Sequence, residues 1–543
     1  MLQIINLTKI IGPKKIFENI SFNLADNQKC AVIGRNGIGK STIFNIICNL
    51  DKDYSGNITK SKNLVVIKTN QEFKLDETIT PLDFILDSIP RYRELHKIIK
   101  DYENDPKHDS EEIEKFSDAI QMFHDLNLHN VENEILVKLE GFDISFEQAL
   151  SPMITMSGGE KRFVDLVRVL MSHSDLILFD EPTNDMDYVG KGVFIEWLRN
   201  FKKSCAIITH DRDILMEVDK IIELSKYEAK EYYGNYSDYL KQNSTNTVTA
   251  IKKYESELDL LAEYKRKRDY FYSRKAYGGN DKVQYEKYKI LYDDLYRTVE
   301  KPDFWIDQNT IQSQSKVVVE KYESYKSKNI EIRGKSETRF KGNIELISLI
   351  DLSIGYDKPL VENVNAKLFI GDHIEIRGRN GAGKSTIIKA ILSMYSGNHP
   401  KTILAGKILI NSNLRIGIYQ QEVDKTLFDK TIAEVIGSYH TLFGMEFNDE
   451  IIKQVLSTYL FDPILDRDLL VRDCSGGQKA RLQIIKMLIN QPDVIILDEP
   501  TNHLDLPSIE ELENMIRNFK GAVIYVSHDE VFRKFMGGKT IQV

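Results

Sequence analysis

Four short motifs occur twice, in the same order, along this 543-residue chain. GRNGIGKST at Gly34–Thr42 returns as GRNGAGKST at Gly378–Thr386, and SGGEKR at Ser157–Arg162 returns as SGGQKAR at Ser475–Arg481. LFDEPTN at Leu178–Asn184 is answered by LDEPTN at Leu497–Asn502, and ITHD at Ile208–Asp211 by VSHD at Val526–Asp529. The last three pairs share one offset of 318 residues (157 to 475, 181 to 499, 210 to 528). Four motifs in register mean a duplicated domain. Each half must then build the same strand, loop and helix, and the length leaves room for two such domains and a substantial connector.

Local patterning agrees. Cys30–Ile33 and His373–Ile376 read as strands ahead of each glycine loop, and the residues after Lys40 and Lys384 have helical periodicity. Leu176–Phe179 and Val494–Leu497 are fully apolar runs ending in acids, as expected of buried parallel strands with chemistry at their carboxyl ends. The predicted fold class is α/β, two P-loop nucleotide-binding domains over 1–240 and 343–543, joined by a helical hairpin linker over 241–342.

The pattern GxxxxGKS needs its glycines so that backbone N–H groups can curl around phosphate oxygens, with the following helix adding its positive end. Gly34, Arg35, Asn36, Gly37, Gly39, Lys40, Ser41 and Thr42 form one such loop; Gly378, Arg379, Asn380, Gly381, Gly383, Lys384, Ser385 and Thr386 form the other. Both halves are expected to bind a nucleoside triphosphate, with Lys40 and Lys384 on the β and γ phosphates and Ser41 and Ser385 on Mg²⁺. Asp180 and Asp498 end apolar strands where a carboxylate can hold the metal, and the adjoining Glu181 and Glu499 can polarise an attacking water. Gln71 and Gln421 are candidates for sensing Mg²⁺ and that water, and His210 and His528 for contacting the γ-phosphate.

Charge and composition restrict partners. With 73 basic and 82 acidic side chains the net charge is −9, so any nucleic-acid contact must be local. The four cysteines, Cys30, Cys48, Cys205 and Cys474, lack the paired spacing of a zinc site or a disulfide framework. No apolar run reaches membrane-spanning length and the first residues lack a secretory pattern, so a cytoplasmic location is expected. Between the halves, 245–330 holds 17 basic and 14 acidic residues and eleven of the 26 tyrosines, which leaves about −12 on the remainder. Thr249–Ala276 and Thr310–Arg333 read as two charged helical legs, with a short helical piece at Lys282–Val299 between them.

SGGE or SGGQ before a basic helix, then DEPTN, then a strand with His, resembles the nucleotide-binding domain of the ATP-binding cassette superfamily. Two such domains around a charged helical linker, with DEPTNHLD at Asp498–Asp505, resemble its ABC-F branch. The resemblance implies ATPase activity, with ATP and Mg²⁺, in a monomer whose cassettes close head to tail. Lys40, Asp180, Glu181 and His210 would then face Ser475, Gly476, Gly477 and Gln478; Lys384, Asp498, Glu499 and His528 would face Ser157, Gly158, Gly159 and Glu160. Adenine would stack on Tyr356 in the second half, while the first half offers Ile11 or Phe17. In the first half Asp185 and Met186 replace the usual His and Leu.

The extra residues between Gln71 and Ser157 lie around Arg91–Leu139, which is helical and broken at Asn104–Asp109; it is either an inserted arm or a longer helical subdomain. By resemblance the linker reaches the ribosomal peptidyl-transferase region from the tRNA exit site, with a tip over Tyr277–Gln308 and Tyr277, Phe304 and Trp305 touching ribosomal RNA or tRNA. The function implied is ribosome protection against antibiotics, or a housekeeping role in translation. A tandem ATPase subunit of a membrane transporter is the alternative of another class, and a nucleotide-gated scaffold with little turnover a third.

Overall fold

Two kinds of strand divide each half into two sheets. The structure, a computed structural model, describes residues 1–12, 14–70, 76–104, 109–172, 174–184, 186–274, 280–298, 344–356, 358–420, 423–474, 476–502 and 504–543. In the first half the strands are β1 (Leu2–Ile11), β2 (Lys14–Leu24), β3 (Lys29–Gly34), β4 (Ser55–Lys60), β5 (Val66–Lys68), β6 (Leu176–Asp180), β7 (Ser204–Ile208), β8 (Lys220–Leu224) and β9 (Ala229–Tyr233). β1 alternates between buried and open positions and lies at the centre of the antiparallel sheet β2-β1-β4. β6 and β7 are buried at every position, which suits strands covered on both faces. They lie in the sheet β5-β6-β7-β3-β8-β9, parallel except for the β8/β9 pair.

The second half repeats the plan with β10 (Glu345–Gly355), β11 (Pro359–Phe369), β12 (His373–Arg377), β13 (Ile403–Ile410), β14 (Ile416–Tyr419), β15 (Val494–Asp498), β16 (Ala522–Val526) and β17 (Lys539–Gln542). β11-β10-β13 is the antiparallel sheet and β14-β15-β16-β12-β17 the parallel one. In both halves the glycine-loop strand lies beside the strand leading to His, and the strand ending in Asp-Glu is next after it. The chemistry-bearing residues therefore emerge along one carboxyl edge of each sheet.

The extra segment of the first half forms helices Tyr92–Asn104, Ser110–Asp125 and Val131–Glu140. Tyr92, Leu95, Ala119, Phe123 and Ile135 are buried and continuous with the core, while Tyr102 and Phe116 stack at 4.1 Å farther along the first two helices. This stretch is thus a helical hairpin rooted in the cassette.

The connector departs from expectation in two ways. Its first helix, Tyr236–Arg274, starts ahead of the expected boundary at 241, because Tyr236 and Tyr239 pack in the first core and the Tyr239 ring meets Tyr232 of β9 edge-on at 4.9 Å. The helix Asn280–Thr298, expected inside the tip, instead packs antiparallel on that first leg. Arg274 pairs with Asp281 at 3.4 Å, Phe271 stacks on Tyr288 at 5.9 Å, and Arg268 lies 4.6 Å over Tyr292. The expected leg Thr310–Arg333 lies outside the described residues. Among the described residues no helix is long and apolar enough to cross a membrane.

Phe179 of β6 anchors the first core, edge-on to Phe194 at 5.8 Å and Trp197 at 5.7 Å. Phe179→Ala is expected to remove about 3–5 kcal/mol from the stability of this half. The measurement is the urea midpoint of the transition reported by tryptophan fluorescence in a Trp305→Phe background, where Trp197 alone emits, and it should fall.

Candidate active site between the cassettes

Each glycine loop opens directly from a buried strand and closes into a helix. Gly39, at φ 95°, sits at the N-cap of the helix Lys40–Ile47, a left-handed backbone that a side chain would strain. Lys40 Nζ donates to the carbonyl oxygens of Gly34 at 2.8 Å and Arg35 at 3.3 Å, so it curls the loop around itself. Lys384 Nζ does the same with Gly378 and Arg379, both at 2.9 Å. Burial lowers the pKa of both lysines, and nearby carboxylates oppose the shift. An anionic ligand would favour the charged ammonium and oppose that shift.

The acids lie where the strands end. Ser41 Oγ donates to Asp180 Oδ1 at 3.1 Å, and Ser385 hydrogen-bonds Asp498 in the second half. A hydroxyl beside a carboxylate supplies the hard oxygen donors that Mg²⁺ takes with nucleotide phosphates, so these residues fit that ion. Glu181 and Glu499 both occupy left-handed backbone, φ 48° and 50°. For a residue with a side chain this strain costs on the order of 1–3 kcal/mol and marks functional positions. Backbone bonds hold it in place: Glu181 N–H donates to Ile208 O at 2.9 Å, and Glu499 N–H to Val526 O at 3.0 Å.

Burial pushes the carboxyl of Glu181 up to about 8 and that of Glu499 up to about 7. His210 and His528 are driven down to about 3, by burial first and then by Lys40 and Lys384 respectively, so both imidazoles are neutral. Their surroundings differ. His210 Nε2 is 3.0 Å from Lys40 Nζ and 4.0 Å from Glu181 Oε1, whereas His528 Nε2 is 3.2 Å from Glu499 Oε1.

The halves meet head to tail. A cleft of about 700 Å³ is lined by Lys40, Ser41, Asp180, Glu181 and His210 together with Gly476 and Gly477, and by Lys384, Ser385, Asp498, Glu499 and His528 together with Ser157 and Gly158. A Cβ on Gly477 would lie 2.6 Å from the Asn36 amide, so the signature of one half packs directly on the glycine loop of the other. Ser157 begins the helix Gly158–Met171 in a capping box with Glu160, whose other oxygen accepts from Gln148 at 2.8 Å. Gln478 Nε2 donates to Asp466 at 3.2 Å. Glu160 and Gln478 thus support the signature helices, while Ser157, Gly158, Gly476 and Gly477 face the cleft and Gly159 is buried in its helix.

Thr42, Gly37, Gly39, Asn36, Thr386, Gly381, Gly383 and Asn380 also line the cleft. Arg35 and Arg379 instead reach across the interface, 3.9 Å from Asp505 and 4.0 Å from Asp143. Tyr356 is 66% exposed just past β10 and, among the described residues, is not part of the cleft wall. Phe17 is corrected as an adenine platform: it is 1% exposed, packed beneath Gly39, and its neighbour Ile16 faces the cleft. Ile11 remains 54% exposed. Gln71, Gln421, Ser475, Asp185, Tyr277, Phe304 and Trp305 lie outside the described residues.

Sequence reading missed the residues that join the halves. Asp187 Oδ2 accepts from Asn380 N–H at 3.0 Å, and Asp505 Oδ2 from Asn36 N–H at 3.3 Å. Both aspartates obey the 318-residue offset, a signal that was present in the repeat. Arg212 pairs with Glu513 at 2.8 Å, nearly buried, and Lys191 Nζ donates to the His528 carbonyl at 3.3 Å; neither contact has a counterpart residue at that offset.

A P-loop ATPase with two composite sites is the class these features define. The ABC transporter family matches 17–184 and 361–502, more than half of the chain. The putative ATP-binding protein YdiF of Bacillus subtilis is 30% identical over 98% of this chain and 78% of its own length. ABC transporter F family member 5 of Arabidopsis thaliana is 27% identical over 99% of this chain and 74% of its own. Among solved structures, an RNase-L inhibitor covers 99% of this chain with 87% of its own at TM-score 0.56 and 15% identity. The archaeal ribosome recycling factor aABCE1, in complex with the ribosomal stalk protein aP1, reaches 0.54 at 14% identity over 99% of this chain and 87% of its own. The chain belongs to the ABC transporter family, as a tandem ATP-binding protein homologous to ABC-F members, and its cassettes are ATPases.

The carboxyl shifts predict a pH profile. A raised pKa keeps Glu499 protonated below about 7, and only its carboxylate can take a proton from water. In Glu181→Gln, where Glu499 alone remains, kcat should fall as pH drops through about 7, with His528 neutral throughout. A kcat profile flat from pH 6 to 8.5 would contradict the assignment.

Proposed function

We propose that this chain is an ATP-driven ribosome factor of the ABC-F kind, which binds with its cassettes closed on two ATP molecules and leaves after hydrolysis. Within each site Lys40 or Lys384 and the adjoining backbone N–H groups hold the β and γ phosphates, and Glu181 or Glu499 takes the proton from the attacking water. Neutral His210 and His528 contact the γ-phosphate, and Ser157, Gly158, Gly159, Ser475, Gly476 and Gly477 contribute from the opposite half. Ser41 with Asp180, and Ser385 with Asp498, would hold Mg²⁺, which neutralises phosphate charge when bound; Gln71 and Gln421 are assigned to the same ion and the water. Tyr356, exposed outside the cleft wall, is assigned to stack adenine at the second site.

The observation that carries the ribosome reading is the connector. Its two described helices form an antiparallel hairpin with a tyrosine and cation ladder along the seam, and Tyr270, Tyr272 and Tyr296 are left exposed. Exposed aromatics beside Lys and Arg suit RNA stacking and phosphate contact, on a chain whose remaining parts are acidic. The cassettes have no use for such a projection if their task is only to drive one another. The ribosome recycling factor of similar fold supports the same direction.

The finer reading is protection from antibiotics, with the connector reaching the peptidyl-transferase region from the tRNA exit site and Tyr277, Phe304 and Trp305 at the contact. Housekeeping translation work is the reading left if drug susceptibility does not change. A transporter subunit would require a membrane partner.

Glu181→Gln with Glu499→Gln should bind ATP and stall in the closed state. Sedimentation with 70S ribosomes and ATP is expected to carry this variant into the ribosomal pellet, and the double variant lacking 275–298 should stay behind. Recovery in membrane fractions with no ribosome association would overturn the proposal. Cells expressing the intact chain should show lower susceptibility to drugs of the peptidyl-transferase region, and unchanged susceptibility would assign the housekeeping role.

A further inference from the structure

The two candidate γ-phosphate histidines follow equivalent strands, and among the described residues it is His528 that the opposite half both stacks on and hydrogen-bonds, whereas His210 feels the opposite half through the charge of Asp505. The helix Tyr188–Asn200 begins just after Asp187, and three residues of its start reach the second cassette. Asp187 binds the Asn380 amide at 3.0 Å. The Tyr188 ring stacks on the His528 imidazole, with centroids 6.4 Å apart and an interplanar angle of 29°. Its ring also lies beneath the Arg377 guanidinium at 5.2 Å, and Arg377 is the last residue of β12 before the glycine loop. Lys191, buried at 5% exposure, donates to the His528 carbonyl at 3.3 Å. Its charge is balanced by Asp211 at 2.9 Å and by a second, closer ion pair with Asp213.

The repeat provides an internal control. At the 318-residue offset Asp187 is matched by Asp505, but Tyr188 is matched by Leu506 and Lys191 by Ile509. Leu506 packs into the first core and Ile509 into the second, so neither can stack on an imidazole or donate to a carbonyl. The histidine positions differ accordingly. His528 stands 3.2 Å from Glu499, while His210 has turned to Lys40 at 3.0 Å and lies 4.0 Å from Glu181.

We propose that Tyr188 and Lys191 are positioning residues for His528, one setting its ring and the other its backbone, so that hydrolysis at the Lys384 site depends on docking of the first cassette's helix in a way that hydrolysis at the Lys40 site does not. Tyr188 fixes the imidazole plane by stacking, and Lys191 fixes the turn after β16 through the carbonyl. Together they hold the Nε2 atom near the carboxylate that receives the proton. The two ATP sites then differ in the chemical step, although their phosphate loops are almost identical.

The test separates the sites by removing one glutamate at a time. In Glu181→Gln the turnover measured comes from the Lys384 site, and in Glu499→Gln from the Lys40 site. Adding Tyr188→Leu or Lys191→Ile, the residues found in the other half, is expected to lower kcat about tenfold in the first background with KM changed less than about threefold. For Tyr188→Leu the loss in the second background should be smaller by about fivefold or more, and Tyr188→Phe should retain activity because it keeps the ring. A contact readout independent of turnover is the histidine Cε1–H resonance in the Glu181→Gln, Glu499→Gln chain with ATP, assigned by its loss on His528→Gln. Tyr188→Leu should shift the His528 resonance through loss of ring current and leave that of His210 in place. Equal kcat losses from Tyr188→Leu in both backgrounds, an effect confined to KM, or an unmoved His528 resonance would each overturn the assignment.

Discussion

One carboxylate in each half does two tasks, and the composite sites depend on it. Asp187 Oδ1 caps its own helix by accepting from Gly190 N–H at 2.9 Å, while Oδ2 accepts from Asn380 N–H in the opposite glycine loop at 3.0 Å. Asp505 does the same with Ser508 at 3.1 Å and Asn36 at 3.3 Å. Hydrogen bonds to a charged group contribute roughly 1.5–3 kcal/mol each, so neither task is incidental. Since the aspartate follows the Asp-Glu strand end by only a few residues, the position of one cassette's acids is tied to the position of the other cassette's phosphate loop. A loop reshaped by nucleotide would therefore be felt directly by the opposite helix.

The parallel sheets make that linkage rigid. Strands buried along their whole length, such as β6 and β16, bring Asp180 and His210, and likewise Asp498 and His528, to one edge in fixed register. The strained glutamates are held by bonds to Ile208 and Val526, the last residues of the neighbouring strands. The same packing desolvates the acids and histidines and creates their shifted proton affinities. Core, strain and electrostatics are thus consequences of one arrangement, in which burial lifts the proton affinities of Glu181 and Glu499 towards pH 7 and keeps both histidines neutral.

What could be read from sequence follows from how each residue acts. Lys40, Ser41, Asp180 and their partners in the second half work through local motif geometry, and the repeated spacing exposes them. Asp187 and Asp505 were equally repeated, but an aspartate ahead of a helix is so ordinary a cap that its second oxygen attracts no notice. Phe17 could be misread as a base platform because alternation along β2 does not reveal that its ring lies under Gly39. Periodicity placed a helical piece at Lys282–Val299, close to the observed Asn280–Thr298, yet its direction depends on tertiary pairs such as Tyr272 with Tyr285, 5.5 Å apart, which no local pattern encodes. The head-to-tail opposition of glycine loop and signature followed from the family resemblance, whereas side-chain partners such as Arg212 with Glu513 and Tyr188 with His528 were not legible.

The divergence of the halves has its own physical logic. Residues that face phosphate have been kept, whereas several that face the other cassette have not. Arg212 is opposed by Glu513, but the equivalents of this pair are Glu530 and Ile195. Were two copies of the first half to close on one another in this geometry, Arg212 would meet Ile195 and remain buried without its carboxylate. Removing one member of a buried pair costs roughly 3–5 kcal/mol, more than most interfaces can absorb without weakening greatly. The asymmetry at the interface thus favours the union of unlike halves, and the same unlike surfaces allow one histidine to be held by Tyr188 and Lys191 while the other turns to its own lysine.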